Sequence, residues 1–336
     1  MRPRIIASIL HGAYGDYYEQ AVCLKDYSLK HPDVKLKLFA GAPNRLAELR
    51  VLDFSWADCF ELYTETKDHT IDDFFQFQGH DRELRTDVFP HLSPDIVRKL
   101  DAQGNRLPWQ YLRSILPLSS EQQLSLSQAG RSRLPSVLQE NGIQPGVFRR
   151  PTIGFLWRHR GPGGVVKSTF QPPAKQLVAK YSRLFRRLID EYACHVLICG
   201  MNVARTPENM YRIDAKFPEY GLDVPADSST HLKGLSWALE LEILSRCTLC
   251  VVNASGFSEA LWIKRGSGVV LVDPPPHYLA KALWHRLPLF NLQRPGSLLA
   301  AIGSRWEELA LKLIRSQLNR SLMLADFPAV ASFQNR

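Results

Sequence analysis

The sequence predicts an α/β protein made of two Rossmann-like domains that face a central cleft. Short apolar runs alternate with amphipathic helical patterns near residues 5–40, and the same alternation restarts at residue 152. This rhythm is typical of parallel sheets covered by helices. Between the two series lies Asn141–Arg150, a polar stretch with two glycines and a proline. Such a stretch is typical of a seam between domains.

The domain boundaries follow from this seam. We expect an N-terminal domain over residues 1–147, a C-terminal domain over 148–320 and a tail over 321–336. The chain has 336 residues, of which 45% are hydrophobic, and this is enough for two ordinary cores. Charged residues make up 22% of the chain, as in ordinary globular proteins, so extensive disorder is not expected.

The N-terminal domain opens as a βαβ unit. The pattern predicts a strand at Ile5–Leu10, a glycine-bearing loop, a helix from about Tyr17 to His31 and a second strand at Val34–Ala40. This order is typical of the start of a parallel sheet. Asp53–Leu100 mixes acidic and aromatic residues without a clear period, and we expect irregular structure there.

The C-terminal domain repeats the alternation. Its predicted strands are apolar runs of four to six residues: Thr152–Trp157, His195–Cys199, Leu249–Val252 and Gly268–Val272. Its predicted helices have apolar residues at helical spacing: Lys175–Tyr192, Leu235–Ser245, Ser258–Lys264 and Trp306–Leu318.

The charge of the chain favours an anionic partner. The net charge is +9 and the pI is about 9.3, but the Arg and Lys residues are dispersed, without the basic runs and aromatic ladders of nucleic-acid modules. We therefore expect a phosphate-bearing small molecule and no nucleic acid. No stretch approaches the roughly 20 apolar residues that a membrane span needs.

One basic helix leaves a membrane contact open. Its cationic side chains are Lys175, Lys180, Arg183, Arg186 and Arg187. They would suit the inner face of an anionic membrane, although a solvated outer face is the simpler account. The location that we expect is the cytoplasm, with peripheral membrane contact as the alternative.

The cysteines do not indicate a disulfide scaffold, because six in a chain of this length are too few. Cys247 and Cys250 have CxxC spacing but lie in an apolar run that reads as a strand. Side chains alternate along a strand, so we expect the two sulfurs on opposite faces, as buried structural thiols.

A basic loop after the first C-terminal strand is a candidate phosphate site. Arg158, Arg160 and Lys167 surround the glycines of residues 161–164. An arginine can hold a diphosphate with two parallel hydrogen bonds, and glycines let the backbone approach it. The alternative is a surface turn with solvated basic residues.

A second candidate lies where a strand leads into a helix. Asn253, Ser255, Gly256, Ser258 and Glu259 span this junction. The first amides of a helix and its dipole favour an anion, and the serines could add hydroxyl donors. The alternative is an ordinary cap formed by Ser255 or Ser258, with Glu259 in the first turn. The two interpretations are compatible.

The loop after the first strand holds the candidate general bases. Asp16 follows Gly15 at a strand-to-helix turn, where a carboxylate could take the proton of a hydroxyl group; it could equally be a helix N-cap. His11 is a second candidate base, and Gly12 lies in the same loop. We find no Asp-x-Asp after an apolar run and no HExxH, so we expect no metal site and no other cofactor.

These motifs resemble the lipopolysaccharide heptosyltransferases, which have the GT-B fold. In that family the first strand leads to a Gly-Asp pair, matched by Gly15-Asp16. Val251–Leu261 is similar to their strand, Asp-Ser/Thr-Gly loop and helix, and Glu242–Cys247 is similar to the helix before it. Ala254 stands in place of their Asp, and Glu259 in place of their later His.

The α1,6-fucosyltransferases of the nodulation type are a second group that the chain resembles. Ile153–His159 is similar to their strand followed by His-x-Arg, and Arg158 takes the position of the arginine that contacts the donor diphosphate. Leu156 stands where they have the His. The segment Glu240–Ser258 is also similar in spacing.

The resemblance implies a metal-independent, inverting glycosyltransferase. It would use a nucleotide-sugar donor and a saccharide or lipid-linked saccharide acceptor, as in polysaccharide biosynthesis. The heptosyltransferase match implies that Asp16 is the base. The departures from both families leave the sugar open. Two alternatives remain: a nucleotide-sugar epimerase of the same fold, and a non-catalytic protein that binds phosphorylated sugars.

Overall fold

The protein is described here from a computed structural model. The residues that the structure describes are 3–10, 14–40, 43–63, 73–74, 112, 114–144, 146–156, 175–199, 202–205, 211–214, 222–232, 235–253, 256–272, 299–301 and 306–325.

The N-terminal half, which is the part of the chain before residue 152, contains a four-stranded parallel sheet. Its elements are β1 (Arg4–Leu10), α1 (Tyr14–Lys30), β2 (Val34–Ala40), α2 (Pro43–Leu49), β3 (Cys59–Leu62), β4 (Asp73–Phe74) and α3 (Gln128–Glu140). The strand order is β3-β2-β1-β4, and every neighbouring pair is parallel. The predicted βαβ opening is confirmed, while β3 and β4 lie in the region that we expected to be irregular.

The C-terminal half contains a six-stranded sheet. Its elements are β5 (Thr152–Leu156), α4 (Lys175–Tyr192), β6 (His195–Cys199), β7 (Asn202–Arg205), β8 (Tyr211–Asp214), β9 (Ser229–His231), α5 (Trp237–Ser245), β10 (Leu249–Val252), α6 (Gly256–Arg265), β11 (Val269–Val272), β12 (Leu299–Ala301) and α7 (Trp306–Ala325). The sheet order is β12-β11-β10-β5-β6-β9, with all pairs parallel.

Most C-terminal elements agree with the sequence, and the differences lie at their ends and edges. Helix α6 begins at Gly256, two residues before the predicted start, and α7 continues beyond Leu318 to Ala325. The antiparallel pair β7–β8 and the edge strands β9 and β12 were not predicted. The two sheets lie on either side of the predicted boundary at residues 147/148, but the boundary itself stays a prediction.

Helices cover both faces of the second sheet. On one face, α4 and α7 pack through Phe185, Leu188, Trp306 and Ile314, all of which are fully buried or nearly so. On the other face, α5 and α6 pack against the apolar side chains of β10 and β11. A parallel sheet that is buried on both sides requires strands that are apolar throughout, which is why these strands were easy to identify.

The two halves share one hydrophobic core. Tyr18, on α1, and Phe257, on α6, both contact Trp237: the ring centroids are 5.9 Å and 5.5 Å away from that of the indole. All three side chains are buried. A polar contact also links the halves, since Lys264 Nζ donates to the carbonyl of Leu124 at 3.2 Å. Helix α1 is therefore enclosed between its own sheet and the C-terminal half.

The basic face of α4 is paired with acidic side chains. Arg183 forms two hydrogen bonds with Glu307, of 2.9 and 3.1 Å, and Arg186 forms an ion pair with Asp223. Such exposed pairs contribute little stability, but they partly neutralise this face. The arrangement favours the solvated outer face over a membrane contact, which stays a prediction.

The prediction for Cys247 and Cys250 was wrong in its geometry. Both side chains are buried, as expected, but only Cys250 lies in β10; Cys247 lies in the turn between α5 and β10. The alternation rule therefore does not apply to the pair. Both sulfurs point to the same place, the α-carbon of Gly154 in the neighbouring strand.

Candidate functional site

In the second sheet, the side on which the chain adds new strands changes between β5 and β10. From β5 the chain adds β6 and β9 on one side, and then returns to add β10, β11 and β12 on the other. Leu156 and Val252, the last residues of β5 and β10, are paired in register. In open α/β sheets, ligands bind beyond the carboxyl ends of the strands at such a reversal point.

The two predicted phosphate loops begin at this reversal point. The basic loop follows Leu156 directly, and Arg158 is two residues further along the chain. Asn253 follows Val252, and α6 starts three residues later at Gly256. Because the two strands are parallel and their ends are in register, both loops leave the same edge of the sheet. Arg158, Arg160, Lys167 and Ser255 themselves lie outside the described residues.

The first sheet has the same design. Strand β1 is followed on one side by β2 and β3, while β4 pairs with its other side. The reversal point therefore lies between β1 and β4, and the loop that follows β1 leads from it into α1. Of the predicted residues in this region, His11 and Gly12 lie outside the described residues, whereas Gly15 and Asp16 belong to α1.

Asp16 occupies the first turn of α1. The helix begins at Tyr14, so Asp16 is its third residue. The interpretation of Asp16 as a helix N-cap is therefore wrong. This position is close along the chain to the carboxyl end of β1, which is compatible with the interpretation of Asp16 as a general base.

The junction between β10 and α6 is closed by a side-chain hydrogen bond. Ser258 Oγ donates to the carbonyl oxygen of Asn253 at 2.8 Å, and the Ser258 side chain is buried. Its hydroxyl proton therefore holds the loop instead of pointing to a ligand. Glu259, in the same turn, is also buried. A phosphate contact from Ser258 would require the bond to Asn253 to break.

Arg265 anchors the far end of α6. Its guanidinium donates to the carbonyls of Leu244, Ser245 and Cys247, at 3.2, 2.9 and 2.7 Å, and to that of Thr248 at 3.0 Å. These carbonyls belong to the end of α5 and the turn before β10. This role was not predicted, since a basic residue in the last turn of a helix usually interacts only with the helix dipole.

An ion pair close to the contact between the halves holds α5 to α6. Lys264 Nζ lies 3.0 Å from Glu242 Oε2, and Arg246 lies 3.1 Å from the other carboxylate oxygen. Burial by itself would raise the pKa of Glu242, but the two cations hold it below its usual value. The same carboxylate adds to burial in raising the pKa of Tyr18 in the N-terminal half.

The described part of the chain contains no group of three or more His, Cys, Asp or Glu side chains arranged to hold a metal ion. None of its helices combines the length and the apolar character needed to cross a membrane.

Comparison with known proteins finds the same architecture in solved structures. No protein-family model matches the sequence, and no curated protein is significantly similar to it. A family 9 glycosyl transferase from Veillonella parvula superposes with a TM-score of 0.55 and 12% identity, over 95% of this chain and 98% of that one. The ADP-heptose lipopolysaccharide heptosyltransferase II of E. coli superposes with a TM-score of 0.53 and 16% identity, over 96% of this chain and 99% of that one.

The chain therefore has the GT-B glycosyltransferase fold, as predicted. The resemblance to heptosyltransferases that the motifs indicated is confirmed at the level of the fold. At these identities the similarity extends to the fold alone, so the roles of the individual site residues stay predictions.

Proposed function

We propose that the protein is an inverting, metal-independent glycosyltransferase that moves a sugar from a nucleotide-diphosphate sugar to a hydroxyl group of a saccharide or glycoconjugate. The observation that carries this proposal is the pairing of Leu156 with Val252. It brings the start of the arginine loop and the start of the helix α6 junction to one edge of the sheet, at its reversal point. That edge is where an α/β sheet binds a nucleotide.

In the proposed reaction the C-terminal half holds the leaving group. Arg158 would donate two hydrogen bonds to the diphosphate, and the amides of Ser255 and Gly256, at the start of α6, would bind the same charge. Arg160, Lys167 and Asn253 would complete the donor site. These groups stabilise the negative charge that grows on the diphosphate as the bond to the sugar breaks, so no metal ion is required.

The N-terminal half would supply the base. Asp16 would take the proton of the acceptor hydroxyl as its oxygen attacks the anomeric carbon from the side opposite to the diphosphate. His11 is the alternative base. Displacement from the opposite side inverts the anomeric centre. The proposed location is the cytoplasm, where nucleotide sugars are made, with the acceptor at or near the inner face of the membrane.

A ligand screen tests the donor site first. Nucleoside diphosphates and nucleotide sugars, including ADP-heptose, GDP-fucose and UDP-sugars, are added in thermal-shift measurements. We expect one base to raise the melting temperature, because a ligand that binds only the folded state stabilises it by mass action. If the whole panel leaves the melting temperature unchanged, the proposed function is wrong.

Turnover with the selected donor tests the chemistry. Asp16→Asn should lower kcat by about 10²- to 10⁴-fold and leave donor affinity nearly unchanged. Asp33→Asn, which alters an exposed carboxylate after the other end of α1, is the control and should keep full activity. EDTA should have no effect. Release of an altered free sugar without an acceptor would identify an epimerase, and tight binding without any turnover would identify a binding protein.

A further inference from the structure

Cys247 and Cys250 form a close pair beside a strand that has no side chain at the point of contact. A β-carbon added to Gly154 would lie 3.0 Å from Cys250 Sγ, 3.2 Å from Cys247 Sγ and 2.7 Å from the Leu244 side chain. A side chain at this position would therefore force Leu244 and the two sulfurs to move. The glycine therefore provides the space that both sulfurs occupy.

A guanidinium group lies next to this pair. Arg265 donates to the carbonyl of Cys247 at 2.7 Å, and its other hydrogen bonds also go to backbone carbonyls. Within the described part of the chain we find no carboxylate paired with Arg265. Nearby cations favour the thiolate, which is the reactive form of cysteine.

The two thiols differ in their surroundings. Burial would raise the pKa of Cys250, but the neighbouring Cys247 thiol and the charge of Arg265 outweigh it and lower that pKa. Burial and the neighbouring Cys250 raise the pKa of Cys247 well above its usual value. One member of the pair is therefore suited to attack as a thiolate, and the other to supply a proton.

We propose that Cys247 and Cys250 are a buried dithiol that a hydroperoxide oxidises to an intramolecular disulfide. The Cys250 thiolate attacks the peroxide O–O bond and becomes a sulfenic acid, while the leaving oxygen takes the proton of Cys247 and departs as water. The Cys247 thiolate then attacks the sulfenic sulfur, and the hydroxide that leaves takes up the proton that Cys250 released when it ionised, which gives a second water. In total, two thiols and one hydrogen peroxide give one disulfide and two waters.

The position of the pair determines what the disulfide would connect. Cys247 lies in the turn after α5, and Cys250 lies in the strand that leads to Asn253. The bond would fix this turn to β10. In the reduced protein, the Cys247 and Cys250 thiols donate to the carbonyls of Ile243 and Leu244, at 3.8 and 3.2 Å. Both thiols are nearly inaccessible, so the oxidant must enter when the turn opens locally.

Peptide mapping tests the proposal directly. Trypsin cleaves after Arg246 and after Lys264, and there is no Lys or Arg between them, so both cysteines fall in one peptide. The folded full-length protein is treated with hydrogen peroxide, alkylated and digested without reduction. We expect most of this peptide to be unalkylated and lighter by two hydrogen atoms. Reduction before alkylation should convert it to the doubly alkylated form.

Variants assign the bond. Cys247→Ser and Cys250→Ser should each abolish the lighter peptide, while Cys194→Ser, which alters another buried cysteine, should leave its yield unchanged. Two results would overturn the proposal. One is a wild-type peptide that stays doubly alkylated after oxidation. The other is a crosslink from this peptide to Cys199, which lies on a different tryptic peptide and close enough to Cys247 to influence it electrostatically.

Discussion

The carboxylate of Glu48, on α2, accepts a hydrogen bond of 3.2 Å from the backbone N–H of Trp237, the first residue of α5. A side chain of the N-terminal half thus caps a helix of the C-terminal half. The N-cap residue Ser236 accepts from Leu239 instead, so the two side chains serve different amides of the same helix end. This bond lies close to the aromatic contact of Trp237 with Tyr18 and links the halves by a polar contact.

Glu48→Ala should destabilise the protein by about 1 kcal/mol, the usual cost of losing a helix cap. The melting temperature should fall by about 1–3 °C. Calorimetry should still show one transition, because the shared core couples the two halves. Glu140→Ala, at the exposed end of α3, is the matched control and should melt like the wild type. A wild-type melting temperature for Glu48→Ala would show that the cap contributes nothing.

Arg265→Lys should destabilise the protein despite conserving the charge. A lysine ammonium cannot reach four carbonyls that a planar guanidinium serves together. Two or three carbonyls would lose their donors, at about 1 kcal/mol each, so we expect a loss of about 2–3 kcal/mol in chemical denaturation. Arg246→Lys changes an exposed arginine that pairs with the i,i+4 carboxylate of Glu242 and should cost less than about 1 kcal/mol. Equal losses in the two variants would contradict the anchoring role.

The buried strands of the C-terminal half were predictable because each is an uninterrupted apolar run. His195–Cys199 and Leu249–Val252 have the bounds that the sequence predicted. The short edge strands β3, β9 and β12 were not predicted, because an edge strand is held by pairing with one neighbour and needs no apolar pattern of its own. Their identity depends on contacts with residues that are distant along the chain.

The candidate site was predictable only in part, for a similar reason. Where a strand ends and a helix begins can be read from local sequence, so the loops after β5 and β10 were found. The sheet order that makes these strands neighbours was not predicted, because it depends on long-range pairing. The error over Cys247 arose because the strand was predicted to include it, whereas a turn after α5 holds it. The bond from Ser258 to Asn253 depends on loop geometry that spacing does not specify.

Arg158→Ala should weaken binding of the nucleoside diphosphate by about 10- to 100-fold, since charge-assisted hydrogen bonds contribute about 1.5–3 kcal/mol. In the proposed function Arg158 also holds the diphosphate as it leaves. We therefore expect kcat/KM for the donor to fall by at least the same factor. Isothermal calorimetry with the diphosphate measures the affinity. Arg149→Ala is the control, because Arg149 precedes β5 and lies at the opposite edge of the sheet. If both variants bind the diphosphate equally well, Arg158 is not a donor contact.

His195 is held in its neutral form at the start of β6. Arg150 Nη2 lies 2.7 Å from His195 Nδ1, and a guanidinium can only donate, so Nδ1 accepts. The proton is then on Nε2, which donates to Thr230 Oγ1 at 2.9 Å. Burial lowers the pKa of His195 to about 4, and the charge of Arg150 acts in the same direction. Protonation would break the first hydrogen bond and place two cations together.

The stability that His195 contributes should therefore depend on pH. In the unfolded chain the imidazole has a pKa of about 6.5. Above that pH it is neutral in both states, and its full contribution to the free energy of unfolding is present. It falls as the pH drops from about 6.5 toward 4, because the unfolded state binds a proton that the folded state refuses. Over this interval the free energy of unfolding of the wild type should fall by about 1–3 kcal/mol more than that of His195→Gln. Urea titrations of the two proteins at matched pH values measure this difference. His31→Gln, which alters an exposed histidine, should follow the wild-type curve. If the His195→Gln curve runs parallel to that of the wild type from pH 7 to 4, then His195 titrates alike in the folded and unfolded states and the neutral imidazole adds nothing to folding.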